Sequence, residues 1–286
     1  MNSPISWFGG KGLLKKWVLH HLEKYHHKSY VEPFGGGASV LFAKQPVKHE
    51  VYNDLDERLI NFFKVLADPE SFEQFKRRVE ALPYSRKLFY EYREAIETET
   101  DSVKRAAMFF VLAKQSFAGR IGRSPSWGFA VSNNGKSQTS QWMFSIRNMP
   151  QVHQRLLRVQ IECMQAIKLI DYYDTTETLF YCDPPYVHST RGNVEYLHEM
   201  TNDDHVELVN KLLNIKGMCV ISCYDHHIYQ PLLNDGWTKV TKEVVCHAAG
   251  RTRTSGLKGN GNVSKHQKRT ETMYISPKCK QKNMLF

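Results

Sequence analysis

The 286-residue sequence lacks the features that mark several protein classes. No apolar run approaches the ~20 residues that cross a bilayer, and the opening "MNSPISWFGGKG" has neither the basic nor the apolar region of a secretory leader. A cytoplasmic protein with no membrane partner is expected. Six cysteines (Cys163, Cys182, Cys219, Cys223, Cys246 and Cys279) fall without Cys-x-x-Cys spacing. That pattern suits reduced, mostly buried thiols better than a disulfide frame or a zinc site. The histidine pairs His20–His21, His26–His27 and His226–His227 lack partners at ligand spacing, so no metal is expected. Internal repeats and low-complexity tracts are also missing.

Acidic residues are absent from one long stretch. Residues 102–161 contain no Asp or Glu, where the chain average of about one acid in ten predicts roughly six. The same stretch carries Lys104, Arg105, Lys114, Arg120, Arg123, Lys136, Arg147, Arg155 and Arg158 among Phe117, Trp127, Phe129, Trp142 and Phe144. Cations beside aromatic surfaces suit phosphates and bases, and the net charge of +10 points the same way, to a polyanionic partner.

Hydrophobic residues make up 41% of the chain, enough for a full α/β core. "SYVEPF" and "HEVYND" read as short strands, and the residues between them leave room for one helix, which begins a βαβ pattern. "ERLINFFKVLAD" continues as an amphipathic helix, and residues 70–112 read as helical, with apolar positions at helical spacing in "FEQFKRRVEAL" and "AAMFFVLA". Residues 115–148, rich in Gly, Ser and Asn, read as irregular. Strands return in "RVQIECM", "TLFYCD", "MCVISCY", "WTKVTKEVV" and "TETMYIS", with helices at "NDDHVELVNKLLN" and near "HHIYQPLLNDG". The simplest assembly is one α/β sheet domain, 1–69 with 156–286, interrupted by an inserted, mainly helical module at 70–155 that carries the basic face.

Three stretches carry chemistry. In "LFYCDPPYV" a strand is stopped by Pro184 and Pro185, which fix φ and hold the preceding residues extended. The result is a stiff platform presenting the Asp183 carboxylate, an uncovered carbonyl and the ring of Tyr186. In "YVEPFGGGAS", three glycines between a strand and a helix permit a tight bend and close approach of a ligand to the backbone. A phosphate loop would need a terminal Gly-Lys-Ser/Thr, and a dinucleotide fingerprint a third glycine where Val40 stands, so neither reading holds. The glycines follow Glu32, and one strand later Asp54 is placed to accept ribose hydroxyls. In "SWFGGKG", Trp7 offers a stacking or cation–π face and Lys11 a charge for a carboxylate. A sulfonium ligand with an amino-acid tail would use both.

The order of these stretches resembles that of the Dam-like, alpha-group DNA N6-adenine methyltransferases, over nearly the whole chain. "SWFGGKG" is similar to the family's N-terminal cofactor motif, "YVEPFGGGAS" to its glycine loop, "VYNDLDERLINFF" to its ribose-binding strand and helix, and "LFYCDPPYV" to its catalytic Asp-Pro-Pro-Tyr. The resemblance implies a Rossmann-like sheet, mostly parallel with one antiparallel strand, with a target-recognition domain inserted in it. It implies S-adenosylmethionine as cofactor, touched by Trp7, Lys11, Glu32, Phe34, Gly35, Gly37, Asp54, Gln165 and Asp183. Gln165 stands where the family often has an acid. Asp183, Pro184, Pro185 and Tyr186 would hold the amino group and ring of an adenine swung out of double-stranded DNA. Candidates for DNA contact, chosen by composition, are Lys114, Arg120, Arg123, Trp127, Lys136, Arg251 and Arg253. A cognate restriction endonuclease is a further partner that the family allows, in a bacterial or phage-infected cell. The rival readings are cytosine-N4 transfer and a DNA-binding protein with an inactive methyltransferase fold.

Overall fold

The most apolar runs of the sequence become the strands covered on both faces. "TLFYC" forms β4 (Thr178–Cys182) and "MCVISC" forms β5 (Met218–Cys223), and every residue of both is buried. Such strands belong in the middle of a parallel sheet with helices on each side. The computed structural model describes residues 1–7, 9–117, 125–128, 137–190, 197–245 and 268–279. In it β1 (Ser29–Glu32), β2 (His49–Asn53), β3 (Val159–Glu162), β6 (Thr238–Val245) and β7 (Lys268–Ile275) complete a seven-stranded sheet of order β3-β2-β1-β4-β5-β7-β6. The first five strands run parallel, and β7 runs antiparallel to both its neighbours. This is the expected Rossmann-like arrangement. The edge strand β6 exposes Lys239, Lys242 and Glu243, charges that discourage further pairing.

Each face of the sheet has its own core. On one side α3 (Glu57–Ala67) and α6 (Ser102–Gln115) bury Phe62, Phe63, Phe109 and Phe110, with the Phe62 and Phe109 rings 5.4 Å apart. At about 1.5–3 kcal/mol for each buried Phe, this cluster joins the segment 70–155 firmly to the sheet. On the other side α9 (Ala166–Tyr173), α10 (Asn202–Asn214) and α11 (Gln230–Asn234) bury Leu169, Ile170, Leu208, Leu212 and Leu232. The Thr201 side chain and Asp204 close a capping box at the start of α10, satisfying two orphan N–H groups there.

Short helices α1 (Lys15–Leu22) and α2 (Ser39–Ala43) flank β1. Between α3 and β3 the chain adds α4 (Pro69–Glu80), α5 (Arg86–Ala95), α6, α7 (Gln138–Arg147) and α8 (Met149–Leu156). Asp68 separates α3 from α4 with one extended residue, because Pro69 disfavours helical geometry before it, and its carboxylate then accepts from the Ser71 N–H at 2.8 Å. The expectation of irregular structure across 115–148 is corrected from Gln138 onward. The Ser137 hydroxyl caps α7, but only Trp142 and Ile146 of that helix are buried, a stripe too narrow to read as a period. Arg155 on α8 forms a buried ion pair with Glu50 of β2 at 2.6 Å and donates to the Leu41 carbonyl of α2 at 3.1 Å.

The topology also fixes where a ligand can lie. β1 and β4 are neighbours, yet the chain between them runs out to β3 and returns. A crevice opens beyond the carboxyl ends of strands where the order reverses in this way.

Candidate active site

The glycine loop forms one wall of that crevice. Asn53, the last residue of β2, ties the strand ends together: its amide donates to the Pro33 and Met164 carbonyls at 2.8 and 2.9 Å, and its carbonyl oxygen accepts from the Met164 N–H at 2.9 Å. Within the loop, the Gly36 N–H donates to Asp54 Oδ2 at 2.8 Å and Tyr52 Oη donates to the Gly36 carbonyl at 2.6 Å. Only glycine fits there. A Cβ on Gly35 would stand 2.1 Å from the Tyr52 ring, and Gly36 has φ of +48°. Trp7 lies over the loop, close enough that a Cβ on Gly37 would come within 2.7 Å of its own Cβ.

The facing wall is the Asp-Pro-Pro-Tyr platform at the end of β4. Asp183 Oδ1 is 2.6 Å from the Lys11 ammonium, in a pair whose side chains are only 16% and 6% exposed. The same ammonium lies 4.7 Å from the centre of the Tyr186 ring. Tyr186 Oη donates to Glu271 Oε2 on β7 at 2.8 Å, and its ring meets Tyr224 edge to face with centroids 4.6 Å apart. Together the walls enclose about 950 Å³, lined by both motifs.

Burial dominates the electrostatics. It pushes Glu32 up to about 8, outweighing the hydrogen bond from Tyr30 Oη at 2.7 Å, so this carboxyl is mostly neutral at pH 7. Burial likewise raises Asp54, against the N–H groups of Asp56 and Gly36 that hold its charged form. It lifts Asp183 to about 6, although the Lys11 ammonium pulls the other way. A cavity with three carboxyl groups raised by burial favours a ligand that brings positive charge and hydroxyl donors.

The D12 class of N6 adenine-specific DNA methyltransferases matches residues 7–244, which include all of these elements except β7. This chain belongs to that family. Similarity extends to the type II methyltransferase M.MjaIII of Methanocaldococcus jannaschii, 26% identical over 278 residues, covering 88% of this chain and 95% of that protein. It extends also to a DNA N-6-adenine-methyltransferase of Escherichia phage P1, 26% identical over 215 residues, covering 73% of this chain but 28% of that protein. Membership of the D12 class puts the reaction at adenine N6, in place of cytosine-N4 transfer or an inactive fold.

In this D12-class methyltransferase the residues Trp7, Lys11, Glu32, Phe34, Gly35, Gly37, Asp54, Gln165, Asp183, Pro184, Pro185 and Tyr186 all border the one cavity. Lys11 meets a carboxylate of the protein itself. Gln165 is exposed at the start of α9. Of the DNA candidates, Lys114 is half-buried near the end of α6, where burial lowers it to about 8. Trp127 packs its ring on Tyr84 at 5.5 Å and under the Arg86 guanidinium at 4.6 Å. Arg120, Arg123, Lys136, Arg251 and Arg253 lie outside the described residues. Among the described residues no group of three or more His, Cys, Asp or Glu side chains is placed to hold a metal ion, and no helix is long and apolar enough to cross a membrane.

Sequence reasoning missed Tyr224, Arg269 and Glu271, which also line the cavity. The sequence held only the alternation of "KRTETMYI", which pairs Arg269 with Glu271 without placing them at the site. Residues two apart on a strand share a face, which puts Arg269 and Glu271 on the same side of β7.

Proposed function

We propose that this adenine methyltransferase draws its methyl group from S-adenosylmethionine and acts on an adenine swung out of duplex DNA at a short recognition sequence. The observation that carries the reading is the cavity shared by the glycine loop and the Asp-Pro-Pro-Tyr platform. Its residues fit the donor: Glu32 and Asp183 suit the ammonium and sulfonium, Asp54 the ribose hydroxyls, Lys11 the carboxylate, and Trp7 and Phe34 the apolar parts. When bound, S-adenosylmethionine supplies a methyl group on a sulfonium, open to in-line attack by a nitrogen lone pair.

The remaining work falls to the chain. Asp183 and the Pro184 carbonyl accept hydrogen bonds from the adenine amino group and aim its lone pair, which is chiefly catalysis by alignment. Asp183 acts in its ionised form, which offers acceptors only, and its negative charge stabilises the positive charge that develops on the nitrogen. It need not take the proton itself: as the N–C bond formed, the S–C bond would break to leave a neutral thioether, and the methylated nitrogen, acidic while positive, would give its proton to solvent. The Lys11 ammonium, with three donors, keeps Asp183 Oδ1 while reaching the donor's carboxylate, and the remaining lone pairs of Asp183 accept the amino group. Tyr186 stacks on the base and offsets part of the few kcal/mol spent on extracting it.

The segment 70–155 acts as the recognition domain inserted between 1–69 and 156–286, with Lys114, Arg120, Arg123, Trp127 and Lys136 against the DNA, and Arg251 and Arg253 join them from outside that segment. Most of these contacts are with phosphates, which position without specifying. The setting is the cytoplasm of a bacterial or phage-infected cell, with a restriction endonuclease of the same specificity as a possible companion. The test is methylation-sensitive single-molecule sequencing of DNA from a methylation-deficient host expressing the chain, beside an Asp183→Ala control. Methylated adenines in one recurrent sequence, absent from the control, are expected. Methylation that survives in the control would refute the role given to Asp183.

A further inference from the structure

Beside the mouth of the cavity lies a second recess of about 280 Å³, lined by Thr190, Tyr224, Asp225, Arg269 and Thr270. Arg269 and Tyr224 border both spaces. The Arg269 guanidinium sits 6.0 Å from the centre of the Tyr224 ring and donates to Tyr224 Oη at 3.3 Å. Tyr224 in turn packs edge to face on Tyr186. Arg269 is thus oriented by a ring that itself braces the platform tyrosine, and it stands two ring contacts from it.

Two carboxylates nearby, Asp225 and Glu271, have partners of their own. Asp225 pairs with Lys239 at 2.7 Å and accepts from Tyr274 Oη at 2.8 Å, and Glu271 accepts from Tyr186. Around the recess stand two threonines, a phenol and a guanidinium hydrogen-bonded to it, beside the Asp225 carboxylate already paired with Lys239, and these donors suit an oxyanion. Because the recess shares Tyr224 and Arg269 with the cavity that holds Tyr186, the phosphates of a nucleotide whose base lies on Tyr186 fall within its reach.

We infer that Arg269 binds a backbone phosphate flanking the target adenine, a DNA contact separate from the inserted module. The contact rests on the reading of Tyr186 as the seat of the extruded base. Its function is to hold the strand at the point where it leaves the duplex. Tyr224 acts as a positioning residue, aligning the guanidinium and the Tyr186 ring together.

The test measures binding of duplexes carrying the sequence found by methylation mapping, with single methylphosphonate substitutions that each neutralise one phosphate near the target. For the wild-type protein, neutralising the contacted phosphate is expected to weaken binding about tenfold, the worth of one hydrogen bond to a charged group. Arg269→Ala is expected to bind about tenfold more weakly than wild type and to be indifferent to that same substitution. Its slope of log affinity against log salt should be shallower by about 0.9, while Arg269→Lys keeps the slope. An unchanged slope in Arg269→Ala, or losses from mutation and methylphosphonate that multiply at every position, would overturn the inference. Asp183→Asn, measured in parallel, separates the two ideas. Methyl transfer by that variant would refute the role of Asp183, whereas the difference in DNA-binding slope between Arg269→Ala and wild type reports on Arg269 whatever Asp183 does.

Discussion

Replacing Lys11 by methionine removes the ammonium that holds the Asp183 carboxyl down while burial pushes it up. A close opposite charge lowers a carboxyl by about 1–3 units, so the midpoint should climb from about 6 into the range of roughly 7–9. With a midpoint of about 8, only about one tenth of the molecules carry ionised Asp183 at pH 7, against about nine tenths in the wild type. The ionised form is the one whose charge stabilises the amino group as it turns positive, so the rate must rise with pH through the midpoint. Methyl transfer should therefore drop about tenfold at pH 7 and recover toward pH 9. The assay is single-turnover transfer of a labelled methyl group at saturating donor and DNA, from pH 5 to 9.5. Saturation removes any loss of donor affinity from the result, and melting curves at pH 7 check that the variant is folded. A profile that keeps its midpoint near 6, or falls by one factor at every pH, would refute the reasoning.

Other perturbations have equally definite outcomes. The Glu32 carboxyl is raised in the folded chain from 4.5 to about 8, so its favourable contribution is complete below pH 4.5 and disappears as pH rises toward 8. At 1.36 kcal/mol per unit, the full loss is roughly 5 kcal/mol. Relative to wild type, Glu32→Gln should gain stability in urea melts between pH 5 and 8, and a constant difference would count against the assignment. A cationic donor binding beside Glu32 at pH 7 should release a proton, seen as a dependence of calorimetric enthalpy on the buffer. Gly35→Ala drives a methyl into the Tyr52 ring and should cost on the order of 1–3 kcal/mol together with donor binding. Gly12→Ala, with nothing within 4 Å of the added atom, should be silent in the same calorimetry and melts. Arg155→Ala strands the buried Glu50 carboxylate and should cost about 3–5 kcal/mol in chemical denaturation, most of it recovered by adding Glu50→Gln.

The two walls of the cavity were legible because each is a contiguous stretch whose backbone chemistry is written locally. Gly35 to Gly37 declare a tight bend, and Pro184 and Pro185 a stiff strand exit. The sheet was legible from its unbroken apolar runs. What was not legible depends on distant pairing. Glu271 and Arg269 reach the site because β7 inserts antiparallel between β5 and β6, a placement that alternation along "KRTETMYI" does not specify. The partner of Lys11 was also hidden, since 172 positions separate it from Asp183 in the chain. The helix α7 escaped because two buried residues in ten make too weak a period, although its serine cap was visible.

With 70–155 as the proposed recognition domain, the aromatic cluster joining α3 to α6 bears on how new specificities arise. A chimera spliced at residues 70 and 155 would part Phe62 and Phe63 from Phe109 and Phe110, replacing a matched set of rings with strangers. Whole-cassette exchange would therefore arrive with a folding defect, and would survive only where the donor supplies rings of the same shape. Changes confined to surface connections meet no such barrier. Diversification of target choice should thus proceed by loop drift on a retained helical frame, and laboratory grafts should keep α3, α4 and α6 together as one inherited block.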